Sequence, residues 1–137
     1  MTAHPMSTAT VGIVLVSHSA ELAAGVAHLA AQVSGGTVTI VAAGGTDDGD
    51  LGTSAAKVER GLSEADSGAG VVVLPDLGSA VLTVRAVLED LNDAQSVLLA
   101  DAPFVEGAVA ATVTAAAGGD IKAVAAAAEE ARHVRKL

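Results

Sequence analysis

The sequence predicts an α/β domain: a doubly wound, mainly parallel sheet of strand order 2-1-3-4 with helices on both faces. Short β-branched runs alternate with segments of helical periodicity along the chain, and glycine, proline or aspartate stands at most of the junctions. Strands separated by helices imply right-handed crossovers and a parallel sheet. The length, 137 residues, suits one domain with a sizeable core.

Val11–Val16 is a continuous apolar run, the mark of a strand buried on both faces. Leu22, Val26, Leu29 and Val33 then recur at helical spacing, with Glu21 and Gln32 off that stripe, and Ser34-Gly35-Gly36 stops the helix. Thr37–Val41 reads as the second strand. The glycine- and aspartate-rich stretch Ala43–Gly52 reads as a flexible, polar loop. Thr53 can cap a helix from Ser54 to Ala65. Val71–Leu74 is the third strand, ended by Pro75-Asp76. Ser79 can cap a helix with the stripe Val81, Val84, Leu88 and Leu91. Ser96–Ala100 is the fourth strand, and Pro103 suits the first turn of the helix that follows, where a missing N–H costs nothing. That helix carries Val105, Val109 and Val113 as far as Gly118-Gly119. Asp120 caps a last helix through Arg132, with Ile121, Val124 and Ala128 inward. Residues 1–10 read as a flexible leader with no basic n-region and no apolar h-region, and Met6 could serve as a second start. Residues 11–137 form the domain, and the expected location is the cytoplasm.

Composition excludes several functions. Lys plus Arg is 7 and Asp plus Glu is 16, a formal charge of −9 that repels a phosphate backbone and argues against nucleic acid. Aromatic residues are 1%, a single Phe104, so no platform exists for stacking bases or a flavin. Cysteine is absent, which removes disulfides, thiolate catalysis and Cys-ligated metal. The apolar fraction is 51% and mean hydropathy is +0.55, but alanine inflates both figures. Every apolar run is cut within about a dozen residues, too few to span a membrane. Alanine-rich helices also leave a core of modest bulk, which a homodimer would help to cover.

In an open parallel sheet, ligands bind outside the carboxyl ends of the strands at the topological switch point. Four segments fall there: Ser17-His18-Ser19, Gly44–Gly49, Pro75–Ser79 and Asp101-Ala102-Pro103. Three carry Asp, and one carries the only His expected at a strand end, so one rim of the sheet is chemically loaded. His18 precedes a helix N-terminus, whose amides and dipole favour an anion. A neutral imidazole beside an anion site suits phosphoryl transfer. Position alone is equally satisfied by an exposed, idle histidine. In the order 2-1-3-4, His18 and Asp76 face one crevice, where a carboxylate accepting from Nδ1–H leaves Nε2 as the nucleophile. A helix-capping aspartate satisfies the same spacing. The Ala43–Gly52 loop lacks the Gly-Lys-Ser/Thr ending of a phosphate loop and the terminal Glu of a calcium loop. His4, His28 and His133 read as solvated.

Four stretches carry a family resemblance: VLVSHSAELAAGV (Val14–Val26), AAGGTDDGDLGTSAAKV (Ala42–Val58), VVVLPDLGSAVLTV (Val71–Val84) and DAPFVEGAVAATVTAAAGGD (Asp101–Asp120). Together they resemble the phosphocarrier subunit of PTS-dependent dihydroxyacetone kinase, the DhaM type, which is related to mannose-type EIIA domains. The resemblance covers nearly the whole chain after the leader. It implies a mannose-type EIIA-like fold and a phosphotransferase role. It makes His18 the phosphorylated residue, with Asp76 in support and no bound cofactor. The donor would be the histidine-containing phosphocarrier protein, the acceptor ADP on an ADP-binding subunit, and the chain a homodimer. Pro75 departs from the pattern, where an apolar strand residue is expected. Some relatives carry fused phosphocarrier and enzyme I domains; with the sequence ending at Leu137, these are expected on separate proteins.

The amides near Ser19 and Gly78-Ser79 are expected to hold the phosphoryl oxygens. Partners are expected to dock around the rim, on Val81, Leu82 and the Gly44–Gly52 loop. A mannose-type EIIA of a sugar transporter shares this chemistry with a different recipient. A chelatase-like metal site would need a second His at a strand end. A flavodoxin-like module would need aromatics, and a receiver domain would need paired acids after strand one.

Overall fold

The computed structural model describes residues 9–91 and 96–137. Its elements are β1 (Gly12–Ser17), α1 (Ala20–Ser34), β2 (Ile40–Gly44), α2 (Ala55–Ala65), β3 (Val71–Pro75), α3 (Gly78–Glu89), β4 (Val97–Leu99), α4 (Phe104–Ala116), α5 (Ile121–Glu130) and a 3-10 turn (Ala131–His133). All strand pairs are parallel and the order is β2-β1-β3-β4, as the sequence predicts. Most of the expected leader, with His4 and Met6, lies outside the described residues. Thr10 is tied to the domain through its carbonyl, which accepts from Ser67 Oγ at 3.0 Å.

Successive side chains of a strand point to opposite faces, and β1 is buried on both. Ile13 and Leu15 join α1, α4 and α5 in one apolar cluster, whereas Val14 and Val16 join α2 and α3 in the other. Each such side chain contributes roughly 1.5–3 kcal/mol by leaving water. Close approach is the second requirement. A Cβ at Gly12 would stand 2.1 Å from the Ala65 carbonyl oxygen, so β1 passes α2 where only glycine fits. Pro75 is harmless. Val71 N–H bonds to Ser96 and Asp76 N–H to Val16, so odd-numbered amides of β3 face β4 and even ones face β1. The missing donor of Pro75 faces β4, beyond its end at Leu99.

Several expected features fall elsewhere. β2 runs three residues later than Thr37–Val41, because register pairs Ile13 with Ile40 and Ser17 with Gly44. Glycine is needed at that end: a Cβ on Gly44 would stand 2.5 Å from Ser19 O, at the start of α1. β4 is shorter than Ser96–Ala100, although Ser96 O and Ala100 N still bond to β3. Ser54, not Thr53, caps α2, accepting from Lys57 N at 3.1 Å. Ser79 does not cap α3, which begins at Gly78 with Leu77 in the cap position and no side-chain cap.

The apolar stripes of α1 and α4 face differently from expectation. Of Leu22, Val26, Leu29 and Val33, only Val26 is buried; α1 presents Ala23, Ala30 and Ser34 inward instead. On α4, Val105 and Val113 are exposed, and Gly107, Ala108, Ala111, Thr112 and Ala115 are buried. The sheet beneath is already filled by β-branched side chains, so small residues take the helix positions against it. Ile121 on α5 packs against the core, and Val124 and Ala128 are buried, as expected.

Candidate functional site

β1 and β3 are neighbours whose following helices depart to opposite faces of the sheet, and the crevice between their carboxyl ends holds His18 and Asp76. His18 Nδ1 lies 2.9 Å from Asp76 Oδ1. Its own backbone N–H donates to Asp76 Oδ2 at 3.0 Å, so the carboxylate grips both ends of the residue. With Nδ1–H donating to the carboxylate, Nε2 carries the lone pair. That nitrogen is 2.7 Å from Ser79 Oγ, and the serine hydroxyl donates to it. The histidine side chain is 26% exposed and the aspartate 7%. A fixed base is thus sunk in the rim while the nucleophilic edge of the ring stays open.

Asp76 accepts two further bonds, from Ser17 Oγ at 2.8 Å and from Leu77 N–H at 2.7 Å. Burial is the largest single influence on its carboxyl and pushes the pKa up. The bonds from the His18 amide, the His18 ring, Ser17 and Leu77 outweigh it together and hold the group below its ordinary 3.8. It is therefore a carboxylate at neutral pH.

Ser17 was not singled out by the sequence reading. Fully buried at the end of β1, it donates to Asp76 and accepts from Ser19 N–H at 3.0 Å. A polar residue closing an otherwise apolar strand run was the available signal. Ser19 caps α1, its Oγ accepting from Leu22 N at 3.1 Å. Its amide is thus engaged by Ser17, and the helix end beside Nε2 is that of α3. Gly78 and Ser79 open that helix, where first-turn amides have no intrahelical partner. A Cβ on Gly78 would meet nothing within 4 Å, so space lies open above it.

The loop after β2, expected to be flexible, is tied to the site. Gly45 N bonds to Ser17 O at 3.0 Å and Gly52 N to His18 O at 2.9 Å. Within it, Asp50 N bonds to Thr46 Oγ1, and Ser54 Oγ to Asp47. Thr53 instead bonds to Thr83 of α3 at 2.6 Å, joining this loop to the far wall of the crevice. Three of the four strand-end segments therefore converge on His18. The fourth turns away: Asp101 N bonds to Glu129 at 3.0 Å and Asp101 O accepts from Arg132, which fastens it to the end of α5. Around the rim, Leu51, Leu77 and Leu82 stand exposed and Val81 is half-buried. Among the described residues no group of three His or acidic side chains could hold a metal ion, and no helix is long and apolar enough to cross a membrane.

A four-stranded parallel domain with an Asp-held histidine at its switch point is the architecture of a histidine phosphocarrier. The chain belongs to the EIIA-man family, whose model, described as PTS system fructose IIA component, matches residues 12–125. Its relatives bear out the DhaM-type resemblance. It is 44% identical over 119 residues to the phosphoryl donor subunit DhaM of the PEP-dependent dihydroxyacetone kinase of Pantoea ananatis, an alignment covering 83% of this chain and 25% of the relative. The chain thus spans about a quarter of that longer protein. Shorter relatives match over most of their length: DhaM of kinase 2 of Listeria innocua at 36% identity (75% of this chain, 84% of the relative) and DhaM of Lactococcus lactis at 33% (84% and 90%). A solved structure titled as the unknown-function protein EF1359 superimposes with a TM-score of 0.80 at 36% identity, covering 88% of this chain and 94% of that one.

Proposed function

We propose that this chain is the phosphoryl carrier of a phosphoenolpyruvate-dependent dihydroxyacetone kinase. In this reading, His18 accepts a phosphoryl group from the histidine-containing phosphocarrier protein and passes it to ADP on an ADP-binding subunit. The observation that carries the reading is the pair of bonds on one ring, Nδ1 to Asp76 and Nε2 to Ser79 at the open rim. The relatives' names as phosphoryl donor subunits support the recipient.

The Nε2 lone pair attacks phosphorus as the donor's N–P bond breaks and its electrons return to the donor imidazole. Nδ1–H stays on Asp76, whose negative charge offsets the positive charge gathering on the ring. The Ser79 hydroxyl turns aside, and the amides of Gly78 and Ser79 face the phosphoryl oxygens. Ser19 contributes by capping α1 and holding the turn. In the second transfer, an oxygen of the ADP terminal phosphate attacks, the N–P bond breaks, and the lone pair returns to Nε2. No bound cofactor enters either step. A site built from amides and one hydroxyl, without a lysine clamp, lends the group rather than trapping it. The chain works as a homodimer, in the cytoplasm beside its partners.

Mass spectrometry after incubation with phosphoenolpyruvate and the upstream proteins tests this. The wild type should gain one acid-labile, base-stable phosphoryl group, and His18→Ala none. Label on His18→Ala, or acid-stable label on the wild type, overturns the mechanism. The family description as a fructose IIA component favours a second recipient, a sugar transporter. Presenting the phosphorylated protein to each acceptor in turn separates the two.

A further inference from the structure

The geometry points to the outer face of α1 as the surface on which a second copy of this chain docks, helix against helix across a two-fold axis with Gly25 at the crossing. The inference deepens the homodimer reading and rests on it. Leu22, Leu29 and Val33 are 44%, 47% and 48% exposed, though each is a large aliphatic on a helix that buries alanines. Spacings of seven and four residues put them on one flank. The other flank, Ala20 and Ala23, lies against Gly44 of β2, so this ridge is turned toward α4. On α4, Gly107 lies against Ala102 and Ala128, which leaves Val105 and Val113 on the flank turned toward α1. All five side chains line one seam.

Gly25 supplies an independent observation. It stands three residues from Leu22 and four from Leu29, in the middle of a fifteen-residue helix. Glycine is the poorest helix former after proline. Here its φ is not positive, and a Cβ would meet nothing within 4 Å. Nothing inside the chain requires it. A second helix crossing at that point does, because a missing side chain lets two backbones approach. A notch flanked by two leucines is self-complementary, which is what an isologous contact needs.

Charge and length choose the occupant. Two copies of a chain with formal charge −9 repel one another except through a face free of charge. The ridge carries none; Glu21 and His28 lie at its border, and Glu106 of α4 is paired with Lys136 at 2.8 Å. From Leu22 to Val33 it runs roughly 16 Å away from the rim. A protein visiting His18 need not cover that length, whereas a permanent partner does.

Sedimentation equilibrium of the full chain at tens of micromolar tests the face, with circular dichroism to verify folding. The wild type should sediment at about twice the 13.2 kDa chain mass. Leu29→Glu and Gly25→Leu should each weaken association by at least about tenfold. Gly25→Ala should weaken association too, yet raise the melting temperature when placed in the monomeric Leu29→Glu background. A wild type that stays a single chain overturns the homodimer itself. A dimer that survives all three substitutions overturns this face alone.

Discussion

Replacing Asp76 by Asn alters one atom and one charge, yet no orientation of the amide satisfies the donors around it. Oδ1 receives the His18 ring at 2.9 Å and the Leu77 amide at 2.7 Å; Oδ2 receives the His18 amide at 3.0 Å and the Ser17 hydroxyl at 2.8 Å. An NH2 at the Oδ2 place confronts the His18 N–H, a donor that cannot turn. At the Oδ1 place it confronts the Leu77 N–H and donates to Nδ1. The ring proton then moves to Nε2, and the nucleophile is lost. The site is 7% exposed, so water does little to repair either arrangement. A buried donor left unpaired costs about 1–3 kcal/mol, and bonds to a charged acceptor are stronger than neutral ones, so Asp76→Asn should destabilise by about 2–4 kcal/mol. In a Ser-His-Asp triad the same exchange lowers turnover about 10⁴-fold through the wrong tautomer, and transfer through His18 should fall by roughly 10²–10⁴. Rapid-quench measurement of phosphoryl transfer reads the rate, and urea unfolding reads the stability.

The same variant has a pH signature. The folded pKa of Asp76 lies below the 3.8 of an ordinary aspartate, so the unfolded chain takes up this proton first as pH falls. Its stabilisation is complete above about pH 4 and is lost as pH drops through the lowered folded value. The wild type should therefore lose stability faster than Asp76→Asn below about pH 4, and the two curves should converge. A folded Asp76→Asn that transfers within about threefold of the wild type would show that this carboxylate does not set the tautomer.

Gly12→Ala puts a Cβ 2.1 Å from the Ala65 carbonyl oxygen, between two backbones that cannot both yield. It should cost about 3 kcal/mol in urea unfolding, and a wild-type midpoint would refute the close approach. Leu82→Glu acts on an exposed side chain of α3 beside the rim. Its unfolding midpoint should match the wild type while transfer from the donor slows about tenfold; an unchanged rate removes this side of the rim from the partner surface.

The site was legible because topology, not local sequence, assembles it. Once four apolar runs alternate with helices, the segments after β1 and β3 must meet, and His18 and Asp76 were the groups with chemistry to contribute there. Details set by single hydrogen bonds were not legible. Ser79 has the residue type and place of a helix cap, but its hydroxyl is drawn 2.7 Å from Nε2 instead. Thr53 and Ser54 are both capping residues, and the choice falls to Ser54 because Thr53 reaches Thr83 across the crevice. The β-branched residues of Thr37–Val41 misplaced β2, since pairing with β1 and the crossing of α1 over Gly44 outweigh strand propensity.

The helix faces failed for a different reason, and it bears on assembly. A stripe of large aliphatics marks the core side when the opposite face is polar. On α1 the opposite face is alanine, so two apolar faces compete, and volume decides between them. Helices seated on a sheet of valine, isoleucine and leucine leave room for Ala23 and Ala30, not for Leu22 and Leu29. The larger side chains are then displaced outward, with glycine among them. A sequence that only needed a monomer could have placed polar residues there at no loss to the core. That it keeps leucine and valine on the outside, on a chain otherwise rich in acid, is what a second molecule across α1 accounts for.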